Sequence, residues 1–228
     1  MQQQGMTRGR IWIYLLLFTG CSINYIDRIV LSVAAQPVAA AFHLSTVQLG
    51  YLFSAFLWTY LVAVLPWGMW VDKYGTRRST AAGMAIWSLA TLATGASWSF
   101  ASLFASRLAM GFGEGATYPA GGRTIREWMP AGERGLATVV FNCGGYAGPA
   151  LGLVTMGYVV SELGWRGGFY VAGAVGFVWL LAWLIWFRQP EQARFIGEAE
   201  RAKILAERGG AATPGTARPC PRCCGAAA

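Results

Sequence analysis

The chain has 228 residues, 55% of them apolar and only 12% charged, against about 25% charged in an ordinary soluble domain. A water-soluble globule of this size cannot hide so much apolar surface, and a disordered chain needs the opposite composition. The 18 basic and 10 acidic residues give a net charge of +8, but the basic residues fall between long apolar runs, which points to membrane topology rather than to nucleic acid.

A helix crosses a bilayer with about 20 mostly apolar residues. Six runs approach or exceed that length: 11–35, which contains Asp27 and Arg28; 49–71 and 80–98, both free of charge; 100–120, which carries Arg107 and Glu114; and 136–160 and 168–187, again uncharged. The first run has no small-residue cleavage site and further runs follow it, so a secretory signal peptide is not indicated. The composition predicts an all-α membrane protein, a bundle of six transmembrane helices over 11–187. Residues 1–10 precede it. Residues 188–210 are polar; 190–208 read as an amphipathic helix with Phe195, Ala199, Ala202 and Leu205 on one stripe. Residues 211–228, rich in Pro, Ala and Arg and without periodicity, predict disorder.

The basic residues orient the bundle. Arg8, Arg10, Lys73, Arg77, Arg78, Arg123, Arg126 and Arg134 fall on one side of the six runs, and Arg166 and His43 on the other. The positive-inside rule then places both termini in the cytoplasm.

Asp27, Arg28, Arg107 and Glu114 lie within the spans. A charge facing lipid near the bilayer centre costs at least about 2.5 kcal/mol, so such residues face a protein interior or a watery cavity. The competing reading is a packing lock of ion pairs between helices. Asn24, Tyr25 and Arg28 share a helix face, with Asp27 turned about 100° away toward a neighbouring helix. Arg107, Gly111 and Glu114 share a stripe, with the two charges about 10 Å apart along the axis. Each therefore needs a partner on another helix, and Arg28 with Glu114 is the economical pair. The planar fork of an arginine suits a carboxylate ligand. A carboxylate taken out of water favours its neutral form unless paired, which makes Asp27 and Glu114 candidates to carry protons. Together these residues predict proton-coupled movement of an organic anion. Tyr25, Tyr51, Trp58, Tyr60, Tyr118 and Tyr146 are further candidates to line a polar cavity, although aromatic residues also serve as interfacial anchors.

Gly144, Gly148 and Gly152 recur every fourth residue beside Pro149. They predict close helix packing, with gating flexibility as the lesser reading. Gly111-Phe112-Gly113-Glu114-Gly115 lacks the preceding strand and following lysine of a nucleotide loop. No hydrolytic or redox constellation is present, and no cofactor is implied. The single histidine, His43, lies in an outer loop, and Cys21 and Cys143 read as packing thiols. Cys220, Cys223 and Cys224 lack the fourth ligand and the surrounding fold of a zinc site.

Several segments resemble the major facilitator superfamily. Gly68-Met69-Trp70-Val71-Asp72-Lys73-Tyr74-Gly75-Thr76-Arg77-Arg78 is similar to its GxxxDRxGRR loop signature, with Lys73 in place of the usual arginine. Arg107, Gly111 and Glu114 resemble its RxxxGxxE signature. Asn24-Tyr25-Ile26-Asp27-Arg28, the run from Phe53 to Tyr60, and Gly164-Trp165-Arg166 resemble the anion:cation symporter branch, which includes hexuronate, galactonate, glucarate and phthalate permeases. The resemblance covers about residues 10–208. It implies substrate contacts at Tyr25, Arg28 and Tyr60 and proton coupling at Asp27 and Glu114. It gives structural or gating roles to Gly68, Asp72, Lys73, Gly75, Arg77, Arg78, Arg107 and Gly111. It further implies symport of a sugar acid or similar carboxylate by alternating access in a bacterial inner membrane, with the lipid bilayer, protons and the anion as partners.

The chain departs from the pattern at Gly121-Gly122, where the family commonly has Asn-Asn, and at Gly145, where a substrate-facing side chain is missing. Members of the superfamily carry twelve spans in two halves with the site between them. The six runs correspond to the N-terminal half, so a second half or another copy of the chain is an expected partner. The alternative expectation is an incomplete half-transporter: a membrane subunit without transport activity, or an inactive truncated product.

Overall fold

The structure, a computed structural model, describes residues 8–193 and 196–209, so the predicted tail, with Cys220, Cys223 and Cys224, lies outside the described residues, as does Phe195. Among the described residues there is no strand. Helix α1 spans Arg8–Val33, α2 Ala35–Phe42, α3 Thr46–Tyr74, α4 Thr76–Gly95, α5 Phe100–Glu114, α6 Thr117–Trp128, α7 Arg134–Trp186 and α8 Glu198–Gly209. Three helical stretches are long and apolar enough to cross a bilayer by length and composition, Arg10–Val33, Thr46–Tyr74 and Ala131–Trp186. The last is two rods. Gly164, at φ 71° and ψ 173°, breaks α7 into limbs 134–163 and 165–186. That backbone region is open to glycine and costly for other residues.

The six expected spans map onto α1, α3, α4, the α5–α6 pair and the two limbs of α7. The span expected as one run over 100–120 differs. It is interrupted after Glu114 and resumes at Thr117, because Pro119 has no N–H to give the carbonyl four residues earlier and its ring crowds that turn. Local chemistry sets the other starts: Ser45 with Gln48, and Ser99 with Ser102, form capping boxes ahead of α3 and α5.

Contacts between rods follow the small residues. A Cβ on Gly148 would sit 3.0 Å from the Cβ of Tyr25, and one on Gly152 3.2 Å from Ile26, so the glycine stripe presses the first limb of α7 against α1. Helix α4 is buried along much of its length despite its serines and threonines, since Thr91 and Thr94 donate back to the carbonyls of Trp87 and Ala90. The outside is apolar: Leu65 on α3 is 75% exposed and Val154 on α7 73%, the inverse of a soluble domain's surface.

Both helical ends of the bundle domain meet at one end of the bundle, where Trp12 on α1 and Trp186 at the end of α7 lie 5.7 Å apart, centroid to centroid. The α3–α4 connection and the turn at Ala131–Glu133 join them there, through Arg77 Nη2 to the Leu184 carbonyl (2.6 Å) and Arg10 Nη1 to Glu133 Oε2. The amphipathic segment is shorter than the 190–208 pattern suggests. Pro190–Gln192 form a 3₁₀ turn, and α8 faces inward through buried Ile204, leaving Ala202 and Leu205 exposed.

Candidate functional site

The four charges of the spans gather in one neighbourhood formed by α1 and α5. Arg28 Nε donates to Glu114 Oε2 at 2.7 Å, the pairing expected from the sequence. Three rings frame the guanidinium, Tyr25 at 4.7 Å, Phe56 at 4.8 Å and Tyr60 at 4.9 Å from their centroids. Such contacts stabilise a cation held out of water. The Tyr25 hydroxyl hydrogen-bonds that of Tyr118 at 2.9 Å, and Asn24 Nδ2 donates to Thr117 Oγ1 at 3.3 Å. Two close approaches hold the framework. A Cβ on Gly111 would collide with the Phe56 carbonyl, so α5 lies against the turn of α3 that carries Phe56. The Tyr25 ring lies 3.1 Å from where a Gly145 Cβ would be, filling the space that a side chain there would take.

Arg28 and Arg107 both line a hollow of about 280 Å³, with Ser32, Leu52, Phe53 and Phe56. Arg107 is 3% exposed, gives Nη1 to the Met110 sulfur at 3.1 Å and lies 5.4 Å from the Phe169 ring centroid. Asp27 does not line the hollow. It is fully buried, beside the Trp87 indole and within electrostatic reach of Glu114 and Arg107. Several polar atoms of this cluster are buried without a hydrogen-bond partner among the described residues: both Asp27 oxygens, Arg28 Nη2, Arg107 Nε and Nη2, and Glu114 Oε1. A native fold leaves few such atoms, and those it leaves call for a cause.

The loop-signature residues sit together at the other end. Gly75, at φ 80°, reverses the chain between α3 and α4. Asp72 accepts from Arg123 Nη1 at 2.7 Å, and Arg123 Nε donates to Glu127 Oε1 at 2.7 Å. Thr76 Oγ1 donates to the second Glu127 oxygen at 2.9 Å. The Lys73 ammonium lies 5.2 Å from the Tyr74 ring centroid, Arg78 is exposed, and a Cβ on Gly68 would meet open space.

Thus Tyr25, Arg28, Tyr60 and Glu114 come together, Arg107 borders the same hollow, and Asp27 does not line it. Tyr51, Trp58 and Tyr146, the other expected lining residues, are 49%, 50% and 81% exposed on the described chain. Sequence reasoning passed over Trp87 and the Arg123–Glu127 pair, although the four-residue spacing of that pair is a readable helical signal.

A sequence model of the Major Facilitator Superfamily matches residues 17–217. The chain is 35% identical over 206 residues to "Probable galactarate/D-glucarate transporter GarP" of Escherichia coli (strain K12), an alignment covering 88% of this chain and 46% of that protein. It is 30% identical over 193 residues to the "D-galactonate transporter" of Escherichia coli O6:H1, covering 85% of this chain and 45% of that one. The chain therefore spans about half the length of these relatives. A crystal structure of a bacterial homologue of the human lysosomal transporter Spinster, inward-facing and unoccupied, superposes with a TM-score of 0.74 at 25% identity, covering 85% of this chain and 46% of that one. By the span of this match and the shared six-rod architecture, the chain belongs to the major facilitator superfamily.

Proposed function

We propose that the chain forms part of a transporter for a small organic anion, a sugar acid or similar carboxylate, moved with protons by alternating access. The observation that carries this reading is the Arg28 guanidinium, tied to Glu114 by Nε and framed by three rings at the edge of a hollow. An incoming carboxylate fits the planar fork of that arginine. It competes with Glu114 for the same cation, and Glu114 takes up a proton when displaced. Asp27, buried with both oxygens unpartnered among the described residues, is the second proton carrier of the scheme. Tyr25 and Tyr60 supply hydroxyls and flat faces to the anion. The relatives named for galactarate, D-glucarate and D-galactonate support a sugar acid as substrate.

In this reading the protein is a multi-pass protein of a bacterial inner membrane. The excess of basic residues in the loops at the end of the bundle that carries Arg77, Arg78 and Arg123 supports a cytoplasmic position for that end and both termini. A second half, or another copy of the chain, supplies the facing wall of the cavity. The test is saturable binding of radiolabelled D-glucarate and D-galactonate to the purified chain in detergent, paired with uptake into proteoliposomes with and without a proton gradient. The expected result is binding that Arg28→Ala abolishes. Binding that survives Arg28→Ala unchanged, or no binding by the wild-type chain, overturns the reading.

A further inference from the structure

Tyr25 is held by two other helices. On α7, a Cβ at Gly145 would lie 3.1 Å from Tyr25 Cε2 and 3.4 Å from its Cζ, and one at Gly148 3.0 Å from Tyr25 Cβ. The two glycines stand three residues apart and so share a helix face, and the tyrosine lies along the bare backbone they leave. On α6, the Tyr118 hydroxyl meets the Tyr25 hydroxyl at 2.9 Å. Tyr118 is itself packed T-shaped on Phe141, with centroids 5.5 Å apart. Phe141 reaches α6 across Gly121, where a Cβ would collide with its ring at 2.6 Å. Backbone therefore fixes the body of Tyr25, and a hydroxyl fixes its tip.

Two consequences reach the site. The Tyr25 ring lies 4.7 Å from the Arg28 guanidinium, so the tilt of the ring bears on where that cation rests. The hydroxyl pair also has a hydrogen to spare. Two hydroxyls bring two hydrogens and use one between them. With Tyr118 donating, the hydrogen of Tyr25 stays free for an incoming anion, and a hydroxyl that accepts one bond is a stronger donor of the next. Neither Tyr118 nor Gly145 needs to touch the anion for either effect.

We infer that Tyr118 and Gly145 are positioning residues, which set anion affinity from α6 and α7 by fixing the ring and the hydroxyl of Tyr25. The inference rests on the anion contact proposed for Tyr25. Its test is a double-mutant cycle on the binding of radiolabelled D-glucarate to the purified chain. Tyr118→Phe keeps the ring on Phe141 and removes one hydroxyl, and it is expected to weaken binding about fivefold, the worth of one neutral hydrogen bond. Tyr25→Phe is expected to weaken it further, because the donor to the anion is lost as well. The double variant is expected to match Tyr25→Phe alone, since Tyr118 then has nothing left to position. Gly145→Ala keeps both hydroxyls and crowds the Tyr25 ring; it is expected to weaken binding too, and it decides the question if Tyr118→Phe does not fold. A bond that merely holds the helices together would give the two phenylalanine variants equal losses. That result, full affinity in Tyr118→Phe, or a double variant weaker than Tyr25→Phe overturns the inference and leaves anion binding standing. Failure of the wild type to bind D-glucarate instead overturns the function on which it rests.

Discussion

The chain carries two clusters of charged side chains, finished to different degrees. At the loop end, Asp72, Thr76, Arg123 and Glu127 exchange hydrogen bonds of 2.7–2.9 Å, and among the described residues none of the four has a buried polar atom left unpartnered. Within the spans, Arg28 and Glu114 share one bond, and buried N–H and carboxylate atoms on Asp27, Arg28, Arg107 and Glu114 have no hydrogen-bond partner among the described residues. Both clusters join residues distant in sequence, so both tie helices together. A satisfied network rigidifies its surroundings, whereas an unsatisfied one in a native fold marks a place where something else must bind or move. Under the proposed function, the contrast fits holding for the first cluster and ligand work for the second.

The sharpest way to break that contrast is Glu114→Gln. The glutamate is fully buried, and the change leaves Arg28 without its counter-charge, at a cost of about 3 kcal/mol. The expected outcome is a lower thermal midpoint in detergent that added D-glucarate restores by a larger step than it gives the wild type, because the anion now supplies the only negative charge on the guanidinium. Uptake by this variant is expected to ignore a collapsed proton gradient. If D-glucarate gives the variant no more protection than the wild type, the pair is a packing lock and the contrast fails.

Glu127→Ala probes the other cluster. Its side chain is 3% exposed, and it accepts from Arg123 and from the buried Thr76 hydroxyl. Removing it orphans that hydroxyl and one donor of Arg123, a loss of about 2 kcal/mol. The expected signature is reduced thermal stability with unchanged affinity for D-glucarate. A fall in affinity as large as that caused by Arg28→Ala would join the two clusters into one functional unit.

The features legible in the sequence were those with a one-dimensional signal. Apolar run lengths marked six rods, and the cost of a charge in hydrocarbon singled out Asp27, Arg28, Arg107 and Glu114 before any partner was known. The Arg28–Glu114 pairing followed because two opposite charges, each without a neighbour on its own helix, need each other. What escaped depends on how the rods are rotated about their axes. Tyr51, Trp58 and Tyr146 are aromatic like Tyr25 and Tyr60, and only packing decides that the former are exposed on the described chain while the latter meet Arg28. The break after Glu114 was hidden by apolar continuity, with Pro119 its one local cue. The amphipathic segment begins its helix only at Glu198, where Ile204 is buried and Leu205 is exposed.

The smallest expected effect comes from Asp72→Ala, and it tests whether burial or mere membership sets the worth of a charge in the satisfied cluster. Asp72 bonds Arg123 at the same 2.7 Å as Glu127 does, yet its side chain is 73% exposed against 3% for Glu127. Water replaces most of what an exposed carboxylate gives its partner, so such pairs contribute under about 1 kcal/mol. Arg123 Nη1 also keeps its bond to the Val71 carbonyl at 3.0 Å when Asp72 is gone. In detergent, therefore, Asp72→Ala is expected to lower the thermal midpoint by less than half the shift of Glu127→Ala. An equal shift would mean that the four residues act as one unit whose members cannot be ranked by exposure. A near-zero stability effect combined with a change in uptake would move Asp72 out of the holding cluster and into the moving parts, since a group that does not stabilise the observed state can then act only in another one.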